Sequence, residues 1–200
     1  MAGRGQNVHI IHRLQKGTAM SKRAIIIVDL QKDYLSSGSF ALTGIDAAAA
    51  NAARVVEAGR GKGDRIIHVH HIAKDAASPL FAPGTDGIQP IPAVAPRQDD
   101  TVIVKNYPNS FRETALHQTL RDGGIEDVVV VGAMSDVCID ATARAAADLG
   151  YNLTVVHDAC ATRDKAFGDS VVPAPLVHAT IMSALEFGYG KVTTTADFLS

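Results

Sequence analysis

An aspartate, a lysine and a cysteine each follow an apolar run of this sequence, and together these residue types can perform nucleophilic catalysis. Asp29 directly follows AIIIV, Lys105 directly follows TVIV, and Cys138 comes a few residues after VVVVG, where a helix should begin. A thiol at a helix N-terminus is shifted toward the thiolate by the helix dipole, and a neighbouring ammonium shifts it further. A carboxylate can accept the thiol proton and return it to a leaving group. The residue types therefore predict a thiolate-prone nucleophile with a base and a cation, although such residues also fall at strand ends by chance.

The three side chains can meet only if the apolar runs belong to one sheet. Continuous β-branched runs predict strands that are buried on both faces, and Ala-rich periodic stretches predict helices between them. This alternation predicts an α/β fold with a mostly parallel sheet covered by helices on both faces. Ligands of such sheets bind beyond the carboxyl ends of the strands, which is where the three residues lie. Strands are predicted at 24–28, 65–70, 101–104, 127–131, 152–157 and 191–194, and helices at 46–60, 112–121, 138–149 and 174–187.

Composition and charge exclude several classes of protein. The 200 residues include 19 Lys and Arg against 21 Asp and Glu, so the net charge of −2 gives no general attraction for nucleic acid or anionic lipid. No apolar run approaches the ~18 residues that a bilayer-spanning helix needs. Two cysteines cannot form a disulfide scaffold, so a cytoplasmic location is expected. We therefore expect a small-molecule partner and neither a nucleic-acid nor a membrane partner.

The chain is predicted to consist of an N-terminal extension at residues 1–19 and a single domain at residues 20–200. The extension carries three basic residues but lacks the apolar stretch and the cleavage site of a secretory signal. It is expected to lie against a neighbouring subunit. Within the domain, residues 76–97 carry five prolines and two glycines, which predicts a long loop without regular structure. Loops of this length in compact domains are usually functional.

The segments around the three chemical residues resemble the isochorismatase-like cysteine hydrolases, a family that includes nicotinamidases, N-carbamoylsarcosine amidase and streptothricin hydrolase. Asp29 lies in AIIIVDLQKDY and Lys105 lies in VIVKNYPNSF. Cys138 lies in VVVVGAMSDVCIDATARAAADLGY, which is followed by VVHDACAT. The similarity runs from about residue 23 to residue 199, and the cysteine segment is its most specific part.

This resemblance implies an isochorismatase-like fold, with three αβα layers and a six-stranded doubly wound sheet, and a catalytic triad of Asp29, Lys105 and Cys138. By it, Cys138 attacks a carbonyl carbon to form a thioester, an amine or ammonia leaves, and water completes the hydrolysis. Asp29 would take the thiol proton and pass it to the leaving nitrogen, and Lys105 would hold Asp29 and Cys138 together. The family also has a non-proline cis peptide, here between Ala133 and Met134, and the backbone amides of Met134 and Cys138 would form the oxyanion hole. Homodimers or homotetramers are expected.

The departures from the family narrow the prediction. Nicotinamidases carry an Asp-x-His motif and a further His after the second strand, whereas this chain reads HVHHIAKDAAS there. His68 and His70 alternate on one strand face, and two imidazoles at that spacing are more often packing residues than metal ligands. We therefore expect no metal site and no cofactor. Isochorismatases proper cleave a vinyl ether and lack the nucleophilic cysteine, so Cys138 favours hydrolysis of an amide, lactam or carbamoyl C–N bond.

Other functions remain open at this point. A vinyl-ether hydrolase of the isochorismatase type and a non-catalytic small-molecule-binding or scaffold protein would share the fold. A thiol-redox protein is disfavoured because Cys160 lies outside any C-x-x-C pattern with Cys138. A nucleotide-binding domain is disfavoured because DLQKDYL, after the first strand, has no Gly-x-Gly-x-x-Gly.

Four further side chains are predicted to line a substrate pocket because they follow the first three strands closely. They are Phe40, His71, Tyr107 and Phe111. Each also has a structural interpretation: Phe40 can pack its own loop, and His71 can be satisfied within the loop that follows it. The apolar, proline-rich composition of residues 76–97 favours a modest, uncharged amide or ureido substrate.

Several neighbouring residues are predicted to have supporting roles. Gln31 or Asp33 is expected to order the catalytic aspartate by a hydrogen bond. Asp136 is expected to cap the helix that carries the cysteine. Cys160 is expected to be a buried apolar residue, and His178 is expected to be structural.

Overall fold

The computed structural model describes residues 22–200, which form eight strands and five α-helices. No helix in this part of the chain has the length and apolar character needed to span a membrane. The N-terminal extension at 1–19, with its expected contact to a neighbouring subunit, lies outside the described residues. The strands are β1 (Arg23–Val28), β2 (Arg65–His71), β3 (Thr101–Lys105), β4 (Asp127–Ala133), β5 (Asn152–Ala161), β6 (Lys165–Phe167), β7 (Ser170–Val172) and β8 (Lys191–Thr193). The helices are α1 (Ile45–Lys62), α2 (Leu116–Asp122), α3 (Asp140–Asp148), α4 (Ala174–Gly188) and α5 (Thr195–Leu199).

Six of the strands form one parallel sheet in the order β3-β2-β1-β4-β5-β8. From β1 the chain proceeds to β2 and β3 on one side, then returns to β4 and continues to β5 and β8 on the other. The winding direction therefore reverses beside β1, and doubly wound sheets bind their ligands at such a reversal. The predicted three-layer α/β fold with a six-stranded sheet is confirmed.

Both faces of the sheet are covered by other elements, so β1 buries side chains on both of its faces. Ile25 and Ile27 pack in the layer that contains α1 and the loop after β2. Ile26 and Val28 pack in the opposite layer, which contains α2, α3 and α4. An unbroken β-branched run suits this central strand because neither face meets solvent. The residue that follows β1 is therefore held at the middle of a rigid sheet.

Two helix boundaries differ from the prediction. The helix predicted at 112–121 begins only at Leu116, because the preceding residues form turns in which Glu113 has a φ of 55°. The helix predicted at 138–149 begins earlier, with one turn of π-helix over Ser135–Ile139 that leads directly into α3. Cys138 therefore lies inside the first helical turn rather than at its start.

The strand predictions differ at β5 and at the hairpin formed by β6 and β7. β5 continues to Ala161, because its pairing with β4 resumes after an irregularity, and Cys160 therefore lies within the strand. The hairpin was not predicted, since its strands have three residues each and are mostly exposed, which leaves no hydrophobic alternation to detect. α5 was also missed. The predicted loop at 76–97 is confirmed, with only two short 3₁₀ turns, Asp86–Ile88 and Pro92–Val94.

Gly132, near the end of β4, cannot be replaced without moving the backbone of β1. Its φ is 132°, and a Cβ built there would overlap the carbonyl oxygen of Val28. We predict that Gly132→Ala lowers the free energy of unfolding by about 3 kcal/mol or more, from backbone strain and overpacking together. Gly150→Ala is the matched control, because Gly150 also has a positive φ, of 89°, but apart from its two chain neighbours no described residue lies within 4 Å of its Cβ position. Urea denaturation measures both variants, and equal losses would contradict this account of Gly132.

Candidate active site

The structure brings the three predicted chemical residues together at the carboxyl edge of the sheet. Asp29 follows β1 with a left-handed φ of 53°, and its N–H donates to the carbonyl of Val69 in β2 at 2.9 Å. Lys105 is the last residue of β3, and Cys138 lies in the π-turn after β4. Asp29, Lys105 and Cys138 are 0%, 1% and 3% exposed. The three groups therefore meet out of contact with bulk water.

The ammonium of Lys105 is the centre of this cluster. Its Nζ lies 2.7 Å from Oδ2 of Asp29 and donates to Sγ of Cys138 at 3.3 Å. It also donates to the backbone carbonyls of Tyr107 and Pro108, at 3.0 and 3.2 Å. These contacts surround a buried charge with acceptors, which is what a buried ammonium requires.

The surroundings of Cys138 oppose loss of its proton at rest. Burial raises the pKa of the Cys138 thiol, and the Asp29 carboxylate raises it further. The Lys105 ammonium lowers this pKa, but by less than the other two effects raise it. The expectation that the site favours a thiolate is therefore wrong for the resting protein.

Asp29 is placed to accept a proton from Cys138. Neither of its carboxylate oxygens, both fully buried, makes a hydrogen bond of standard geometry to a described residue, and Lys105 balances its charge. Lone pairs of this carboxylate are therefore available to a thiol hydrogen. Removing either member of such a buried pair leaves an uncompensated charge, which typically costs about 3–5 kcal/mol of stability.

The turn that carries Cys138 is held from three sides. Oγ of Ser135 and Nδ1 of His178, in α4, are 2.8 Å apart. Asp136 accepts a hydrogen bond from the Thr162 hydroxyl and pairs with Nζ of Lys165, in β6, at 2.9 Å. Asp136 therefore makes no cap for the helix, contrary to prediction, whereas the structural role expected for His178 agrees with its contact. The turn also begins at the Ala133–Met134 peptide bond, which is cis, as the resemblance implies.

Two of the four predicted pocket residues contact the ammonium. Nδ1 of His71 lies 3.2 Å from Nζ of Lys105, and Tyr107 contributes its backbone carbonyl. The charged groups of Lys74 and Arg112 lie 4.5 and 3.7 Å from the centroid of the Tyr107 ring. Whether either ring contacts substrate stays a prediction.

The other two predicted pocket residues have packing partners of their own. Phe40 packs against the core cluster on the α1 side, and the Arg163 guanidinium lies 4.2 Å from its ring centroid. Phe111 stacks on Tyr151, with centroids 6.3 Å apart, and packs against the cluster on the opposite face of the sheet. These contacts account for both rings without a substrate, and their pocket roles stay predictions.

Gln31 and Asp33 order the site through partners other than the predicted one. The Gln31 side chain binds the backbone of His71, accepting from its N–H at 2.7 Å and donating to its carbonyl at 2.9 Å. The Asp33 carboxylate accepts the N–H of Phe81 at 2.7 Å. The expectation that either side chain bonds to the Asp29 carboxylate is wrong. Sequence separations of 40 and 48 residues explain why local reasoning missed these contacts.

Lys105 fills the position that a metal ion would need in this cluster. Asp29, His71 and Cys138 each offer one ligand atom, and these atoms lie within 4.8 Å of one another. Nζ of Lys105 is within hydrogen-bonding distance of all three. A fixed ammonium and a metal ion cannot share this position, so the residues fit an ammonium-centred cluster.

The two alternating histidines of β2 have structural surroundings. Nε2 of His68 lies 3.2 Å from Asp100, which also binds the guanidinium of Arg60 and the N–H of Arg97. Burial lowers the pKa of His68 to about 4, so this imidazole is neutral at pH 7. Burial also lowers the pKa of His70. The predicted packing role suits both residues.

Cavity size does not identify this site. A cavity of about 670 Å³ lies between α4 and β8 and is lined by residues that include His157, Met182 and Thr193. None of its lining residues belongs to the ammonium-centred cluster, whose side chains are almost fully buried. The site is therefore assigned from the convergence of complementary chemical groups.

Comparison with known proteins establishes the family. The family model described as the isochorismatase domain matches residues 23–197. The chain is 43% identical over 176 residues to the isochorismatase family protein YddQ of Bacillus subtilis (strain 168), covering 88% of this chain and 98% of that protein. A crystal structure from Oleispira antarctica, described as an isochorismatase hydrolase, has a TM-score of 0.87 at 41% identity and covers 92% of this chain and 99% of that one. The chain therefore belongs to the isochorismatase family.

Several relatives carry names that state an activity. The secreted isochorismatase effector Isc1 of Verticillium dahliae is 33% identical and covers 70% of this chain and 73% of that protein. Streptothricin hydrolase of Streptomyces noursei is 29% identical, and the match covers 82% of this chain and 56% of that protein. A ureidoacrylate amidohydrolase of Variovorax paradoxus is 26% identical, and the match covers 90% of this chain and 81% of that protein. The named relatives of this chain thus include amidohydrolases.

We predict that Asp29→Asn and Lys105→Met shift the alkylation of Cys138 in opposite directions. Loss of the Asp29 charge lowers the pKa of the thiol, so labelling by iodoacetamide moves to lower pH, while loss of the ammonium moves it to higher pH. In the wild type, the labelling midpoint lies above the value of about 8.5 of a free cysteine. Intact mass with peptide mapping at a series of pH values measures all three proteins.

Cys160 is the internal control for this experiment. It is buried, and burial raises the pKa of its thiol to about 12, so it should stay unlabelled in each variant below that pH. A wild-type midpoint below that of free cysteine, or shifts of the same sign in both variants, would contradict this account of the Cys138 surroundings.

Proposed function

We propose that this protein is a cysteine hydrolase that cleaves an amide, lactam or carbamoyl C–N bond of a small molecule through a thioester. One observation carries the proposal: a single buried ammonium, that of Lys105, contacts both the Asp29 carboxylate and the Cys138 thiol. A nucleophile, a proton acceptor and a fixed cation are the groups that acyl transfer from nitrogen requires. All three come from different strands and meet only in the folded chain.

In the first half of the reaction, the Cys138 sulfur attacks the carbonyl carbon of the substrate. The thiol proton passes to Asp29 as the S–C bond forms, and the Lys105 ammonium stabilises the charge that develops on sulfur. Asp29 then returns the proton to the nitrogen of the tetrahedral intermediate. The C–N bond breaks and the acyl group remains on Cys138 as a thioester. Ammonia or an amine leaves, except from a lactam, whose freed amine stays attached to the acyl group.

In the second half, water replaces the departed nitrogen compound. Asp29 accepts a proton from this water as its oxygen attacks the thioester carbon. The S–C bond breaks, the proton returns to sulfur, and the acid product leaves. Each half uses the same carboxylate as acceptor and then as donor, so the site is restored without a cofactor.

The carbonyl oxygen becomes negative in both halves and requires hydrogen-bond donors. We assign this role to the backbone N–H groups of Met134 and Cys138. Met134 directly precedes the π-turn, and Cys138 lies within it. Contacts of Ser135 with α4, and of Asp136 with Thr162 and β6, keep that turn in place. Loss of one such donor typically costs ~10²–10³ in rate.

The raised pKa of Cys138 gives this mechanism a particular order of events. Because the resting sulfur is a thiol beside a carboxylate, deprotonation is coupled to attack on the substrate rather than completed beforehand. A bound carbonyl compound supplies the electrophile that makes proton transfer to Asp29 favourable. The site therefore selects for substrates that present a carbonyl carbon at Cys138.

The substrate class follows from the surroundings and the relatives. The loop at 76–97, which has few charged residues, is joined to the site through Phe81, whose ring stacks on His71 with centroids 5.4 Å apart. Such a wall suits a modest, uncharged amide, ureido compound or lactam better than a polyanion. The names of streptothricin hydrolase and ureidoacrylate amidohydrolase, among the relatives, support a C–N bond as the target.

Vinyl-ether hydrolysis of the isochorismatase type is the second candidate, and the name of the relative Isc1 favours it. That reaction forms no acyl group, so it would proceed without a thioester on Cys138. A non-catalytic binding protein is the third candidate. Both differ from the proposed hydrolase in what accumulates on sulfur and in whether a nitrogen compound is released.

The proposed function is tested by ammonia or amine release from small amides and ureido compounds and by ring opening of lactams to amino acids, with isochorismate as a further substrate. We predict release with at least one C–N substrate, and a loss of at least about 10³-fold in Cys138→Ala, because the nucleophile is removed. Cys160→Ala is the matched control and should retain wild-type turnover. Hydroxylamine should divert part of the product to a hydroxamate, which reports the thioester.

Other results distinguish the alternatives. Turnover of isochorismate that survives Cys138→Ala would identify the vinyl-ether activity. Binding of a C–N compound without cleavage of its C–N bond, at full saturation and over long incubation, would identify a binding protein.

We also propose that the chain works as a homodimer or homotetramer. Large apolar side chains of the β6–β7 hairpin and of α4 are exposed to solvent in the single chain, and burial of such side chains would favour association. Sedimentation velocity should show an assembly that Phe187→Glu weakens, with Leu149→Glu, at the end of α3, as the control. A monomeric wild type, or equal behaviour of both variants, would contradict this assembly. The exposed residues concerned are Phe167, Val171, Leu176 and Phe187.

A further inference from the structure

We propose that His71 is a fourth functional residue of the site, which holds one N–H of the Lys105 ammonium while Cys138 is a thiol and releases it when a thiolate forms. His71 acts here within the hydrolase function proposed above. It is a positioning residue, since it acts on sulfur through the ammonium rather than on the substrate.

The backbone places His71 beside Lys105. His71 ends β2 and Lys105 ends β3, and the two residues are paired in the parallel register. Nδ1 of His71 lies 3.2 Å from Nζ of Lys105 and 3.9 Å from Oδ2 of Asp29. The His71 side chain is 18% exposed, whereas that of Lys105 is fully buried. His71 therefore forms the outer side of the ammonium's surroundings.

Both the backbone and the ring of His71 are held in place. The Gln31 amide binds the N–H and the carbonyl of His71 at once. The ring stacks on Phe81 at an interplanar angle of 26°, and Phe81 is itself fixed through its N–H by Asp33. Gln31 and Asp33 both follow β1, so the segment that carries the catalytic aspartate also orients this imidazole.

The number of donors on an ammonium decides how His71 can act. Nζ of Lys105 carries three hydrogens, and five acceptors lie around it. The Asp29 carboxylate pairs with the ammonium by charge, at 2.7 Å, without a hydrogen bond of standard geometry. The backbone carbonyls of Tyr107 and Pro108 take two of the hydrogens. One hydrogen remains for two acceptors, Nδ1 of His71 and Sγ of Cys138.

The stronger acceptor takes that remaining hydrogen. An imidazole nitrogen accepts better than a thiol sulfur, so the hydrogen is directed to His71 at rest. A thiolate accepts a charge-assisted bond that is stronger than a neutral one, so the hydrogen turns to sulfur as the proton leaves Cys138. His71 thus keeps the ammonium from stabilising the thiolate before a substrate drives its formation.

This role requires one tautomer of a neutral imidazole. Nδ1 must carry a lone pair toward the ammonium, so the ring hydrogen must lie on Nε2. Side-chain ¹⁵N NMR of the wild-type protein, with His71 assigned by the signal lost in His71→Asn, should show a hydrogen on Nε2. A hydrogen on Nδ1 at neutral pH would overturn this role of His71.

Three substitutions separate the two ring nitrogens. His71→Asn keeps an acceptor near the position of Nδ1, His71→Gln places its amide near the position of Nε2, and His71→Ala keeps neither. We expect the alkylation midpoint of Cys138 to fall by about one pH unit in the Gln and Ala variants, a tenfold gain in thiolate at a given pH. The Asn variant should keep the wild-type midpoint.

The midpoint is the decisive quantity because a merely loosened structure would not move it. Greater access to Cys138 raises the labelling rate at every pH, whereas loss of the competing acceptor shifts the pH dependence. The ionisable groups that interact with the thiol, left unchanged in all three variants, are Asp29, Tyr34 and Lys105. Unlabelled Cys160 and a preserved thermal midpoint show that each variant is folded.

Each other outcome contradicts the role of His71. Equal midpoints in the wild type and all three variants would mean that His71 only packs. A wild-type alkylation midpoint in His71→Gln, with a lowered one in His71→Asn, would mean that Nε2 rather than Nδ1 affects the thiol. These measurements need no substrate, so the cluster can be verified even if the amide panel gives no turnover, and the proposed hydrolase can stand if His71 fails.

Discussion

The structure depends on one buried ion pair, that between Asp29 and Lys105. Two charges removed from water are tolerated only when each faces the other closely and the remaining donors find acceptors. The pair joins the end of β1 to the end of β3, across β2, so these strands must end together on one side of the sheet. The continuous β-branched core of β1 supplies the rigidity that this arrangement needs.

The ion pair also sets the acidity of Cys138, the proposed nucleophile. A cation alone would favour a free thiolate, but here its charge is already matched by a carboxylate that lies beside the same sulfur. The site therefore holds a thiol, that of Cys138, beside a proton acceptor, the Asp29 carboxylate, rather than a preformed thiolate. Reactivity of Cys138 then depends on the group that binds next to its sulfur. This requirement discriminates among compounds independently of their contacts with the rest of the site.

Much of this architecture could be predicted from the sequence, and the remainder shows where such reasoning ends. Apolar runs located the six strands of the sheet, and the polar residues after them identified Asp29, Lys105 and Cys138. The thiol pKa was misjudged because burial comes from packing by distant segments, whereas the helix dipole is a local property. The partners of Gln31, Asp33 and Asp136 were missed for the same reason, since each lies at least 26 residues away. Short exposed strands such as β6 leave no periodic pattern at all.

The protonated state of Cys138 has a consequence for the durability of the protein. Peroxides and disulfides react with thiolates rather than thiols, so a sulfur that holds its proton and is buried is oxidised slowly. Cys160 is likewise buried and protonated. Both sulfurs are therefore in a form that oxidants attack slowly, and under the proposed mechanism Cys138 is vulnerable mainly during the brief interval in which it is deprotonated.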